Sequence, residues 1–254
     1  MRDGDIATVA LNNPGKLNAL TITMWRKLAR VLRELSGDDA LRCIVLRGAG
    51  DEAFAAGADI EEFVAERATL AQAKTYHHEF VGSVLKAVAE CRHPTVAMIK
   101  GACVGGGLEI VCNCDLRIAG ESGRFGVPIN RLGFAIAYEE LAGLLSLAGR
   151  AVAAEILLEG RVWSAAEAYA KGLLTRVVPD AEVEREAYAA ARRIADGAPL
   201  VARWHKQFIR RLAVSAPPLT AAEIDANFDY LGTDDYRQGI DAFINKKKPK
   251  FEGR

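Results

Sequence analysis

The chain predicts an α/β core followed by a helical C-terminal extension. Two observations carry that prediction. Short apolar runs alternate with helix-period segments up to about residue 180, and helix-period segments dominate afterwards. Half of the 254 residues are hydrophobic, ample for a large buried core.

Taken in order, residues 6–11 (IATVAL) read as a short strand, and NNPGKLNAL as a loop turned by Pro14 and Gly15. Residues 23–35 are helical, with Trp25, Leu28, Leu32 and Leu35 on one face and basic residues between them. CIVL at 43–46 is a buried strand. AGDEAFAAGADIEEF is a small-residue loop that enters a helix near Asp59. Residues 70–91 form a long helix, Pro94 excludes any continuation, and TVAMI at 95–99 is another strand. In GACVGGGLEIVCNCD, at 101–115, a strand ends and a helix begins at three successive glycines; DLRIAG follows as a strand. After 125–133 the pattern is helical nearly to the end, interrupted by TRVVPD at 175–180. No fixed-period repeat or low-complexity linker divides the chain. The tail NKKKPKFEGR reads, on charge alone, as a solvated run.

Composition excludes several function classes. Lys and Arg together equal Asp and Glu at 33 each, so no overall field draws the chain to nucleic acid or to an anionic membrane. The opening MRDGDIATVALNN lacks the apolar core of a secretory signal. No run offers the roughly 20 uninterrupted apolar residues of a membrane span; the longest candidate, 134–149, contains Glu139 and Glu140. The five cysteines are odd in number and four lie in core-like stretches, as expected of reduced thiols in a cytoplasmic enzyme. Cys112 and Cys114 lack a second pair to complete a zinc site, and His77 and His78 stand apart on a helix, so no metal is expected.

The glycine segment carries the chemistry. Glycine lets backbone approach a ligand, and a helix N-terminus exposes unpaired N–H groups with partial positive charge. Together they suit an oxygen that becomes negative. The spacing is neither GxGxxG nor a P-loop. AAGAD at 55–59 has the same small-residue character before a helix, so two loops could aim two N–H groups at one oxygen. Glu109 sits one turn into the helix among apolar neighbours. Burial would raise its pKa and fit it for acid/base work near neutral pH; a buried acid paired with a distant cation is the alternative. No GxSxG or histidine triad competes.

These segments, in order, resemble the crotonase, or enoyl-CoA hydratase/isomerase, superfamily: KLNAL at 16–20, AFAAGADIEEF at 53–63, IKGACVGGGLEIVCNCDLRIA at 99–119, FGVPINRLG at 125–133, EGRVWSAAEAYAKGLLTRVVP at 159–179 and DDYRQGIDAFINKKKPKF at 234–251. The resemblance implies a spiral of ββα turns over residues 1–190. It implies a helical oligomerisation region over 191–254 that builds a homotrimer or a dimer of trimers. It implies an acyl-CoA thioester substrate and no cofactor beyond the coenzyme A of that substrate. Ala58 and Gly106 would supply the oxyanion N–H groups. Ala56, Ala58, Asp59, Ile60 and Glu61 would line the thioester path. Phe243 and Lys246 would meet coenzyme A, often that of a neighbouring subunit, with Lys16 a further phosphate candidate. Glu109 matches one of the two hydratase glutamates.

The other glutamate normally follows a proline, and here the pair reads Pro128-Ile129. Isoleucine cannot activate water, and Asn130 is no base at neutral pH. Glu139 and Glu140 are candidates to replace it, if their helix begins near Ala137; first-turn charges favoured by the helix dipole are the alternative. Hydration of a 2-enoyl-CoA is the commonest family activity. One-base isomerisation and thioester-assisted decarboxylation stay open, as does an acyl-CoA-binding protein with little activity. A hydrolase would need a nucleophile or a placed water, and no clear one is visible.

Overall fold

The computed structural model describes residues 1–212, 220–226 and 228–249, so the end of the basic tail lies outside the described residues. Among the described residues ten strands form two sheets: β1 (Arg2–Asp3), β2 (Ile6–Leu11), β3 (Cys43–Gly48), β4 (Ala53–Ala55), β5 (Thr95–Ile99), β6 (Ala102–Val104), β7 (Leu116–Gly120), β8 (Arg124–Gly126), β9 (Trp163–Ser164) and β10 (Arg176–Val178). The six-stranded sheet runs β1-β2-β3-β5-β7-β10 and the four-stranded sheet β4-β6-β8-β9. Apart from the antiparallel outer strands β1 and β9, every pairing is parallel. Successive strands β3/β4, β5/β6 and β7/β8 therefore place one member in each sheet. The chain winds as a spiral, two strands and a helix per turn. The alternation expected from the sequence is present, and the four short strands β4, β6, β8 and β9 make the second sheet.

The central strands are apolar without interruption because both faces are covered. On β3, Ile44 and Leu46 face the main core, while Cys43 and Val45 face a second cluster with Val96, Met98 and Ile118. Helix Val183–Ala195 closes that second face with Val183, Ala187, Ala190 and Ala191. Helix Ile22–Gly37 is capped by Thr21, which accepts a bond from Met24 N at 3.2 Å, and buries Trp25, Leu28 and Leu32. All five cysteines are free and buried.

Helix Pro199–Leu212 docks through Lys206, which bonds Asp115 at 2.7 Å and the His93 carbonyl at 3.1 Å. Its other face leaves Leu200, Trp204, Phe208 and Ile209 exposed. Helix Tyr138–Glu159 is long and apolar enough by length and composition to cross a membrane, but Glu139, Glu140, Arg150, Glu155 and Glu159 interrupt it, so it is not the uninterrupted apolar run that the sequence was expected to lack. It breaks at Gly149, and its first turn carries Glu140, which pairs inside the core.

Candidate active site

Parallel pairing of β4 with β6 brings the loops that follow them to one edge. The contact is close: a Cβ on Gly57 would lie 3.8 Å from Gly106 N and 3.3 Å from the Val104 carbonyl oxygen. Two glycines at the helix entry are sterically required. Gly105 has φ +51°, and a Cβ on Gly107 would lie 2.5 Å from the Ala55 carbonyl oxygen. Gly106 is the first residue of helix Gly106–Cys112. Leu20 bridges the other loop, its N–H bonding Gly57 O at 2.7 Å while Asp59 N–H bonds Leu20 O at 2.9 Å. The N–H groups of Ala58 and Gly106 have no hydrogen-bond partner among the described residues. Two free donors at the meeting of two loops have the chemistry that an oxyanion would require.

They open on a cavity of about 570 Å³. Lys16 and residues 56–61 stand along its wall, with Gly106, Glu109, Ile129 and Phe243. Asp59 and Glu61 hold Lys16 at 2.8 and 2.7 Å, and Asp59 also accepts from Glu61 N at 3.3 Å. Phe243 is presented by helix Asp234–Ile244, which seats on the segment Pro128–Leu132; a Cβ on Gly239 would lie 2.3 Å from Leu132 O. The C-terminal helix thus lines the cavity of its own chain. Lys246, exposed at φ +53°, is not among the residues lining that cavity.

Glu109 is buried on the cavity wall. Burial, and then the field of Glu140, push its carboxyl well above the usual carboxylate range, against the opposing Arg67 guanidinium. Glu140 lines the same cavity. It is buried too, but the His77 ring, the Arg67 guanidinium and the Ala137 N–H outweigh desolvation and hold it below the usual range. His77 Nδ1 donates to Glu140 Oε1, and Ala137 N–H donates to Oε2 at 3.4 Å. Glu139 does not share this position. One residue back on the helix, it points outward, pairs with His78 Nδ1 at 3.1 Å and is 48% exposed. Asn130 also turns away, donating to the Leu158 carbonyl at 3.0 Å; only Ile129 of that segment's two candidates faces the cavity.

Sequence reasoning missed His77, Arg67 and Tyr76. The histidines do not stand apart, since each holds one of the two consecutive glutamates. His77 and Tyr76 lie in a π-helical stretch, Thr75–Val81, whose wider turn no apolar periodicity reveals. A doubled histidine against a doubled acid is the one signal the sequence held.

The family model described as enoyl-CoA hydratase/isomerase matches residues 2–254. A short-chain-enoyl-CoA hydratase of Clostridium acetobutylicum is 31% identical over 249 residues, covering 97% of this chain and 94% of the relative. A crystal structure described as an enoyl-CoA hydratase/carnithine racemase from Magnetospirillum magneticum is 49% identical, with a TM-score of 0.82 over 100% of this chain and 94% of that one. A methylmalonyl-CoA decarboxylase in complex with 2-nitronate-propionyl-CoA is 26% identical, with a TM-score of 0.89 over 100% of this chain and 97% of that one.

Proposed function

The chain belongs to the enoyl-CoA hydratase/isomerase family, and on that premise we propose that it hydrates a 2-enoyl-CoA, with Glu109 and Glu140 as its acid and base. The carrying observation is that two carboxyls line one cavity while their surroundings push their proton affinities in opposite directions. Glu140, ionised, takes a proton from water as the water oxygen bonds the β-carbon. The electron pair moves onto the thioester oxygen, which the Ala58 and Gly106 N–H groups stabilise as an enolate. Glu109, protonated, delivers its proton to the α-carbon. Exchange with solvent then returns both carboxyls to their starting states. Glu140 thereby supplies what Ile129 cannot.

Lys16 and Phe243, at the cavity, suit the coenzyme A portion of the ligand. The exposed apolar face of helix Pro199–Leu212 supports self-association, as a homotrimer or a dimer of trimers. Five buried free thiols favour a reducing, cytoplasmic setting. Neither Lys246 nor Glu139 has a role in this scheme within one chain.

A second reading is decarboxylation of a malonyl-type thioester, favoured by the likeness to methylmalonyl-CoA decarboxylase. The deciding experiment is turnover of crotonyl-CoA, followed by loss of the conjugated thioester absorbance, beside binding of butyryl-CoA. Glu109→Gln abolishes turnover and leaves binding largely intact. Equal loss of both would remove Glu109 from the chemistry.

A further inference from the structure

Arg67 is 1% exposed and lines the cavity. Its guanidinium is a planar cation with five N–H donors and no acceptor. It lies over the rings of Phe134 at 4.2 Å and Phe63 at 4.4 Å, with Tyr230 at 5.4 Å and Tyr76 at 5.8 Å. Its side chain donates to the Tyr230 hydroxyl, while Nε has no partner. Among the described residues no carboxylate lies within 4 Å of it. Glu140, the ionised acid of the same cavity, is already engaged by His77 and Ala137 N–H.

Two more buried donors on this wall lack acceptors. The Tyr76 hydroxyl and the Trp25 indole N–H are near neighbours, and neither has a hydrogen-bond partner among the described residues. Both residues line the cavity. Buried polar groups in folded proteins are rarely left unsatisfied, and a buried cation is costly without a counter-charge. Aromatic faces offset part of that cost but satisfy no N–H. Water could serve the two neutral donors; the field of Glu140 reaches Arg67, but without a direct ion pair it gives the unpartnered Nε–H no charged acceptor.

We infer that Arg67, with the Tyr76 hydroxyl and Trp25 N–H, receives a carboxylate carried on the acyl chain, so that the substrate class is a carboxylated acyl-CoA thioester. This rests on the acyl-CoA reading of the cavity. Arg67 is too deeply buried to serve the phosphates of coenzyme A, whereas Lys16, its side chain 42% exposed, is accessible to them.

Calorimetric titration of the full-length protein with saturated thioesters, freshly prepared and without a double bond to hydrate, tests it. Succinyl-, glutaryl- and adipyl-CoA are compared with butyryl- and hexanoyl-CoA. The best carboxylated ester binds roughly ten- to a hundredfold tighter than its uncharged counterpart, the range of a charged hydrogen bond. Arg67→Met abolishes the preference and keeps affinity for butyryl-CoA; Tyr76→Phe, a gentler change, reduces it several-fold. The wild-type comparison needs no variant to fold. Equal binding of both classes would overturn the inference while leaving the acyl-CoA reading in place. So would a preference that survives in folded Arg67→Met, which would move the receptor elsewhere. Failure to bind any thioester would overturn both.

Discussion

Glu140 enters, from the first turn of helix Tyr138–Glu159, the cavity that Glu109 enters from helix Gly106–Cys112, and the field of Glu140 raises the proton affinity of Glu109. The two acids differ in their partners. Glu140 has His77 and a backbone N–H, whereas Glu109 has a desolvating wall. One site therefore holds a proton donor and a proton acceptor at the same pH.

A bell-shaped profile of kcat/KM follows. Activity falls on the acid side as Glu140 is protonated, below the usual carboxylate range, and on the alkaline side as Glu109 ionises, above that range. Glu140→Gln removes the acid limb together with roughly 100- to 10,000-fold of the rate. Initial rates against pH for both proteins check this.

Stability moves with pH in a direction fixed by the same groups. The raised pKa of Glu109 contributes stability below its ordinary value of 4.5, and that stability is lost as pH rises toward the folded value. Glu109→Gln lacks this loss, so it melts above wild type at pH 8 and close to it at pH 4.5. Glu140 acts oppositely: its contribution is present above the ordinary carboxylate value and is lost as pH falls through its lowered one. Melting curves of both proteins between those pH values are the test.

His77→Leu strips the buried Glu140 carboxylate of its partner. The expected cost is about 3–5 kcal/mol at neutral pH, read from urea midpoints. Adding Glu140→Gln recovers much of it, because no buried charge is then left uncompensated.

Gly107→Ala tests the close approach of the two loops. The new Cβ would meet the Ala55 carbonyl oxygen at 2.5 Å, a backbone atom that cannot swing aside. A loss of about 1–3 kcal/mol is expected, with a fall in turnover from displacement of the Ala58 N–H. Ala58→Pro removes that donor outright and costs on the order of 100- to 1000-fold in kcat, with butyryl-CoA binding as the control for loop integrity.

The α/β core was legible because its long strands are continuous apolar runs, CIVL and TVAMI naming β3 and β5 directly, whereas the spiral came only from the family resemblance. The second sheet was not legible. AFA, ACV and RFG are three residues each, too short for any period to show that they pair with one another, although a strand ending at the glycines after ACV was expected. In the site, the glycines and Glu109 stood out because flexible backbone and a lone acid are anomalous in an apolar run. Glu140 could be nominated but not separated from Glu139, since choosing between neighbours on a helix requires knowing which face meets the cavity. Arg67 looked like any loop arginine beside ERATL; its burial depends on Phe134 and Tyr230, which are distant in sequence.

The central claim is that two carboxyls of opposite proton affinity add water across a thioester-activated double bond. Mass spectrometry of crotonyl-CoA after incubation with the protein in deuterated water tests it most directly. The account predicts a product heavier by the mass of D₂O in wild type, and none in either Glu109→Gln or Glu140→Gln. Deuterium exchange without water addition in wild type, or hydration undiminished in Glu140→Gln, would contradict it.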